Sequence, residues 1–326
     1  MKKCTLTLLL AFLAVAGLAV GDGANMHKYM VVNLSGGSDA KEYPVSYLDS
    51  EPIDGWSDEY KTVKLVLRLV KPGKFHMEGP WVKGDRVVAL SYPYYIGVFE
   101  VTQAQYKLIM GSGDPLHRGD MRPMERVSWY TLRAGPDASD ELKDACVWPV
   151  SDTVGENSFV GRIRRKTQLK GFDLPTEAQW EYASIGGGLS RERLGLTSEV
   201  LKFGLFLNKG GMTNAHCVVG SFPPNALGVY DMYGNVCEWC LDFLGELESG
   251  KFVDPLGAVS NKNDKRVLRG ECFRTNITDK EEPSHYGYYA NCWGAIIGFR
   301  IVCNMVHQGN ICFTEVREGQ VREGVE

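Results

Sequence analysis

Past residue 20 the chain has no apolar run long enough to cross a bilayer, so no membrane span is expected in its body. It also lacks a charge excess. Lys and Arg number 36 against 40 Asp and Glu, a net charge of −4, which excludes a nucleic-acid binder driven by a strong positive field. Histidine is scarce, at six residues (His27, His76, His117, His216, His285 and His307). No two lie four apart on an expected helix, so the metalloprotease signature is missing. There is no Gly-x-Ser-x-Gly elbow and no phosphate-binding glycine loop. Glycine, by contrast, is abundant at 37 of 326 residues, which points to tight turns and a loop-rich body. A hydrophobic share of 44% and a charged share of 23% are globular values, with length enough for a real core.

The N-terminus reads as an address. Met1-Lys2-Lys3 precedes an apolar run from Leu6 to Val20, the length of a signal-peptide core and short for a span. Ala19 and Gly21 suit cleavage before Asp22, with Ala16 as a second option. Residues 1–21 are therefore expected to be a signal peptide and the mature chain to be exported, whether periplasmic, cell-surface or secreted. Cleavage removes Cys4 and leaves eight cysteines: Cys146, Cys217, Cys237, Cys240, Cys272, Cys292, Cys303 and Cys312. An exported chain permits disulfides, and six of these eight lie beyond residue 230, so any cross-links are expected in the C-terminal third.

Residues 22–60 read as a polar N-terminal extension with β-like runs at Tyr29–Leu34 and Tyr43–Leu48. A domain over 61–304 and a polar tail over 305–326 follow. Alternation predicts a strand at Thr62–Val70, and Val87–Leu90 and Tyr94–Val98 are further candidates. Thr102 caps a helix over Gln103–Met110 that Gly111 ends. Ser128 can cap a short helix, and Asn157–Gln168 has helical spacing with the basic run Arg162–Lys166 on a solvated face. Pro175 and Thr176, with Gln179 at capping-box distance, open a helix to about Ser184. That helix is expected to bury Trp180 and to show Glu177 and Glu181 to water. From 189 to 260 the chain reads as mostly loop, ordered by Trp239, its turn residues or a metal ion. Arg266–Leu268 and Phe299–Val302 are the last expected strands.

Three constellations carry chemistry. In Tyr230–Trp239, Asp231 and Glu238 flank the turn at Gly234. Two carboxylates and turn carbonyls suit a hard cation such as calcium, against a plain solvated turn. Cys237-Glu-Trp-Cys240 is a lone CxxC; with no second pair it reads as a disulfide or two buried thiols rather than zinc. Ser284–Trp293 packs Tyr286, Tyr288, Tyr289, Trp293 and His285 among small polar residues, the composition of a binding surface.

Several stretches together resemble the formylglycine-generating enzyme (sulfatase-modifying factor) family. They are Phe75–Gly79, Tyr94–Tyr106, Arg122–Trp129, Asp173–Ala183, Val219–Trp239, Arg266–Gly270 and Gly298–Val302. The resemblance spans roughly residues 62–304. It implies an α+β, C-type-lectin-like fold, loop-rich, with short strands and few helices. It also implies calcium held by Asp231, Gly234, Val236 and Glu238, with Asn208 as a possible part of a second site. Family oxidases use copper(I) on two cysteines, and the positions matching that pair here are Thr275 and Lys280. Without soft thiolates there, copper is not expected and catalytic residues are not assigned. The family's ligand-displaying relatives vary the segment that corresponds to Cys272–Ile297.

The expectation is an exported, calcium-stabilised relative without oxidase activity, binding a protein or glycan ligand through residues 272–297, with Tyr286, Tyr288, Tyr289 and Trp293 as ligand-binding residues. The alternatives are a formylglycine-generating oxidase with a relocated metal site, using Cys272 with Cys292 or Cys303, and a purely structural surface module.

Overall fold

A computed structural model describes residues 26–77, 79, 81–149, 151–188, 204–206, 214–258, 264–276 and 285–305. The expected signal peptide, Asn208, Lys280, Cys312 and the tail beyond 305 lie outside them. In chain order the strands are β1 (Tyr29–Asn33), β2 (Val45–Leu48), β3 (Lys64–Val70), β4 (Gly73–His76), β5 (Arg86–Leu90), β6 (Tyr94–Gly97), β7 (Phe172–Asp173), β8 (Cys237–Phe243), β9 (Gly250–Val253), β10 (Lys265–Arg269), β11 (Tyr286–Tyr289), β12 (Ile297–Gly298) and β13 (Val302–Asn304). The helices are α1 (Gln103–Met110), α2 (Trp129–Arg133), α3 (Asp140–Ala145), α4 (Phe159–Thr167) and α5 (Glu177–Ser184).

The helices start where local chemistry says they start. Thr102 and Gln105 form a reciprocal cap on α1, and Gly111 closes it in the left-handed region at φ 86°. Thr176 and Gln179 do the same for α5, at 3.0 and 3.2 Å. Ser128 caps α2 and Ser158 caps α4.

Six strands pair in the order β2-β1-β3-β6-β13-β7. β1 and β2, which lie within the expected N-terminal extension, are thus strands of the main sheet. β1 lies antiparallel to β3, with Val31 opposite Val66, and its Met30 and Val32 enter the core. A second sheet runs β11-β10-β8-β12 and a third β4-β5-β9.

The segment expected to be loop over 189–260 instead contains β9 and the inner strand β8. Every residue of β8 is buried. A strand covered on both faces shows no alternation, so period-2 patterning could not reveal it. β11 was hidden for a related reason: Tyr286-Gly287-Tyr288-Tyr289 does not alternate. The strand expected at Phe299–Val302 is divided. Gly298 ends β12 beside β8, Val302 begins β13 beside β6, and Phe299–Ile301 carries the chain between the two sheets. All of Phe299, Arg300 and Ile301 are buried in that crossing.

Two expectations about charge are also corrected. The basic run on α4 does not simply face water. Arg164 pairs with Asp173 at 3.0 Å, and Lys166 is buried with its Nζ 3.2 Å from the Tyr43 hydroxyl. Glu177 and Glu181 on α5 point inward and hold the buried Arg269 of β10.

Candidate functional site

The best-defined polar centre is built by three segments that the fold brings together: the residues just before α1, the 231–238 turn that leads into β8, and the Phe299–Ile301 crossing between β12 and β13. Asp231, Gly234 and Asn235 all take positive φ, at 54°, 81° and 58°. Such a turn folds the chain tightly enough to aim several polar groups at one point. A side chain at Gly234 would sit 2.5 Å from the Leu205 carbonyl, so the turn needs glycine there. The Gly234 N–H donates to the Gly270 carbonyl at 2.5 Å, joining this turn to the end of β10.

Inside the turn, Glu238 is committed. Its Oε1 accepts from Arg300 Nη2 at 2.6 Å, and its Oε2 accepts from Arg300 Nε at 2.6 Å and from the Trp180 indole N–H at 2.7 Å. Arg300 also donates to the Gly97 carbonyl at 2.9 Å and the Tyr230 carbonyl at 3.0 Å. Burial opposes its charge, but Glu238, Glu100 and Asp231 outweigh that and raise its pKa. Asp231 Oδ2 accepts the Gly220 N–H at 2.6 Å, while Oδ1 is buried without a donor. Glu100 Oε2 accepts from Asn235 at 3.0 Å, and its Oε1 is also buried without a donor. Burial pushes Asp231 up to about 6 and, joined by repulsion from Asp231 and Glu238, pushes Glu100 well up.

Three buried carboxylates thus face one guanidinium. The two donor-less oxygens are hard donors of the kind calcium takes. In this centre Asp231 Oδ1 and Glu100 Oε1 are the carboxylate oxygens left without a donor. Glu238 instead meets the cation of Arg300. Among the described residues no group of three or more His, Cys, Asp or Glu side chains is arranged to hold a metal ion. Glu100, Asn235 and Arg300 were not singled out from sequence, although Glu100 stands in the Tyr94–Tyr106 motif and Arg300 in Gly298–Val302.

The cysteines take an unexpected arrangement. All seven described cysteines are unbonded. Cys237 and Cys240 lie three apart on β8, so they point to opposite faces and join different core clusters. The CxxC is therefore two buried thiols, not a local disulfide. Cys272 is bonded to neither Cys292 nor Cys303; it lies in the same core cluster as Cys237, whose thiol acts on it. That contact and Thr275 lower the Cys272 thiol to about 7, while the same contact and burial push Cys237 well up. Cys303 lies on β13 opposite Tyr95.

The aromatic residues are split between roles. Tyr286 donates its hydroxyl to Glu271. Tyr288 and Tyr289 are exposed at 46% and 47% on neighbouring positions of β11, hence on opposite faces. Trp293, 57% exposed, lies under the Arg126 guanidinium at 4.7 Å, and Lys265 lies 5.2 Å from the Tyr289 ring. The His285 side chain is instead largely covered, 4% exposed, tilted against the Trp81 ring at 4.5 Å and 3.3 Å from Glu177.

The fold and this centre define a loop-rich α+β domain in which a carboxylate–arginine knot ties the turn before β8 to the strand crossing. The chain belongs to the sulfatase-modifying factor enzyme 1-like domain family, whose model matches residues 57–305. It is 28% identical over 279 residues to the chaperone protein LppX of Paenibacillus barcinonensis, covering 74% of this chain and 90% of that protein. It is 34% identical over 118 residues to the formylglycine-generating enzyme of Streptomyces coelicolor, a match to 30% of this chain and only 34% of that enzyme. Treponema denticola variable protein 1 shares the fold at a TM-score of 0.54 and 22% identity, over 74% of this chain and 95% of that one.

Proposed function

We propose that this chain is an exported binding module of the family that captures an extended polypeptide and does not carry out copper-dependent oxidation. The observation that carries the reading is the exposure of three aromatic rings, Tyr288 and Tyr289 on the two faces of β11 and Trp293 four residues beyond Tyr289, with Lys265 and Arg126 against two of them. Rigid aromatic rings with adjacent cations give large contact area at low entropy cost. β11, which carries two of them, is the outermost strand of its sheet among the described residues, where an added strand gains backbone hydrogen bonds. The match to a chaperone over nine-tenths of its length favours polypeptide over glycan. The position matching the first copper cysteine is Thr275, and the second is Lys280.

The full chain is expected to bind reduced, carboxymethylated α-lactalbumin, and the pair of changes Tyr288→Ala and Trp293→Ala is expected to weaken that binding about tenfold or more. Binding of soluble oligosaccharides alone would replace the ligand class. Conversion of a cysteine in a sulfatase-derived peptide to formylglycine with added copper would overturn the reading altogether.

The same reading includes calcium beside Asp231, supported by the donor-less oxygens of Asp231 and Glu100. A ligand that binds only the folded state stabilises it by mass action, by about 2.7 kcal/mol at 100 times its Kd. Chelator-stripped protein is therefore expected to melt at a lower temperature, and millimolar calcium to restore Tm more than magnesium does. Equal Tm values with chelator and with calcium would remove the ion from the account.

A further inference from the structure

Two thiols far apart in sequence meet beneath the end of β10. The chain leaves β10 through Gly270 and Glu271, both left-handed at φ 97° and 60°. Two backbone bonds fasten this bend to the 231–238 turn: Gly234 N–H to the Gly270 carbonyl at 2.5 Å, and Phe273 N–H to the Asn235 carbonyl at 2.9 Å. The bend thereby returns Cys272 to the first residue of β8, Cys237, with both side chains in the same core cluster and each thiol acting on the other. Cys237 is 2% exposed and Cys272 4%. The Thr275 hydroxyl lies 3.6 Å from the Cys272 sulfur, and its oxygen accepts the Cys272 N–H at 3.2 Å. Cys237 is held from the other side, its N–H donating to the Ile296 carbonyl at 2.8 Å. Neither thiol is committed to a disulfide or assigned a task by the binding reading above.

The geometry points to Cys237 and Cys272 as a site of oxidative modification that closes to a disulfide in reaction with a small hydroperoxide. Hydrogen peroxide is close to water in size, which suits a sulfur so little exposed. In the first step the Cys272 thiolate attacks one peroxide oxygen. The O–O bond breaks, Cys272 becomes a sulfenic acid, and hydroxide leaves. In the second, the Cys237 sulfur attacks the sulfenic sulfur. The S–S bond forms, the S–O bond breaks, and the Cys237 proton leaves with the departing hydroxide as water. Overall, two thiols are oxidised and one peroxide is reduced to two waters. Cys272 is the sulfur attacked first because both the Cys237 thiol and the Thr275 hydroxyl can donate to its anion. Cys237 is the resolving partner because the two backbone bonds between the bend and the 231–238 turn hold it beside Cys272. The cross-link ties the bend after β10 to β8. Glu271, next to Cys272, accepts the Tyr286 hydroxyl, so the same tie reaches β11.

The inference is independent of the ligand and of calcium. Its test is peptide mapping of the full wild-type chain before and after hydrogen peroxide, beside a free-thiol count in the folded protein. The expected result is a loss of two thiols, reversed by dithiothreitol, and a linked peptide pair joining Cys237 to Cys272. In Cys237→Ser, Cys272 is expected to accumulate as a sulfenic acid that dimedone traps; in Cys272→Ser the adduct and the cross-link are both absent. An unchanged thiol count, or a cross-link from Cys272 to Cys217 or Cys292 instead, overturns the assignment. The wild-type map needs no variant, so a poorly folding substitution does not blunt the test.

Discussion

Replacing Arg300 by leucine is expected to lower the free energy of unfolding by about 3–5 kcal/mol, the usual cost of stranding one member of a buried ion pair. Arg300 is fully buried, as is Glu238, and their carboxylate–guanidinium contact is held at both Oε atoms. The loss reaches further than one pair. Glu100 and Asp231 face the same guanidinium, and its removal leaves three buried carboxylates without it. The Gly97 and Tyr230 carbonyls lose their donor as well. Urea unfolding of the calcium-free protein reads the effect without interference from a bound ion. Adding Glu238→Gln to Arg300→Leu is expected to recover at least about 1 kcal/mol, because the amide removes one stranded charge and can still accept from Trp180. A single-variant loss below about 1 kcal/mol, or no recovery in the double variant, would show that the knot does not hold the turn to the crossing strand.

A second large effect is expected at Trp239. Trp239→Ala should destabilise by about 3–5 kcal/mol in the same measurement. The side chain is fully buried in the largest core cluster, at the middle of the inner strand β8, opposite Leu268 of β10. Its indole N–H donates to the Val127 carbonyl at 2.9 Å, so truncation opens a cavity and also leaves a buried acceptor unpaired. Trp239→Phe keeps most of the volume and loses the donor, and is expected to cost less than half as much. If the alanine variant lost under about 1.5 kcal/mol, β8 would be acting as a loosely packed segment rather than as the spine of its sheet.

The same strand shows where local reading stops. The helices were legible because their signals are short-range. Thr102 reaches Gln105 and Thr176 reaches Gln179 within one turn, so the caps are written in adjacent residues. β3 was legible because Lys64 and Arg68 alternate with Leu65, Leu67 and Leu69 in the sequence, although Val66 and Val70 are buried as well. β8 was not, since neighbours on both faces bury Glu238 and Asp242 along with Trp239 and Leu241. Glu177 and Glu181 misled for the same reason. Two acids on one helix face ordinarily meet water, and only the arrival of Arg269 on β10 made the inward orientation stable. The burial cost of Glu177 is offset by His285, Arg269 and Arg86, and its pKa ends below the ordinary value.

The candidate site divides along the same line. Asp231 and Glu238 were visible beside their glycine turn, as were Tyr288, Tyr289 and Trp293 in an aromatic-rich stretch. The partners were not: Arg300 lies 62 residues from Glu238, Asn235 lies 135 from Glu100, and Cys272 meets Cys237 across a whole strand pair. The order of motifs in the chain was enough to determine the family and the loop-rich α+β class, because those motifs are runs of neighbouring residues. Which charges neutralise one another, which thiols meet, and which aromatic rings are left at the surface were decided by tertiary structure alone. Electrostatic and sulfur contacts act over a few ångströms of space, and separation along the chain carries no record of that distance.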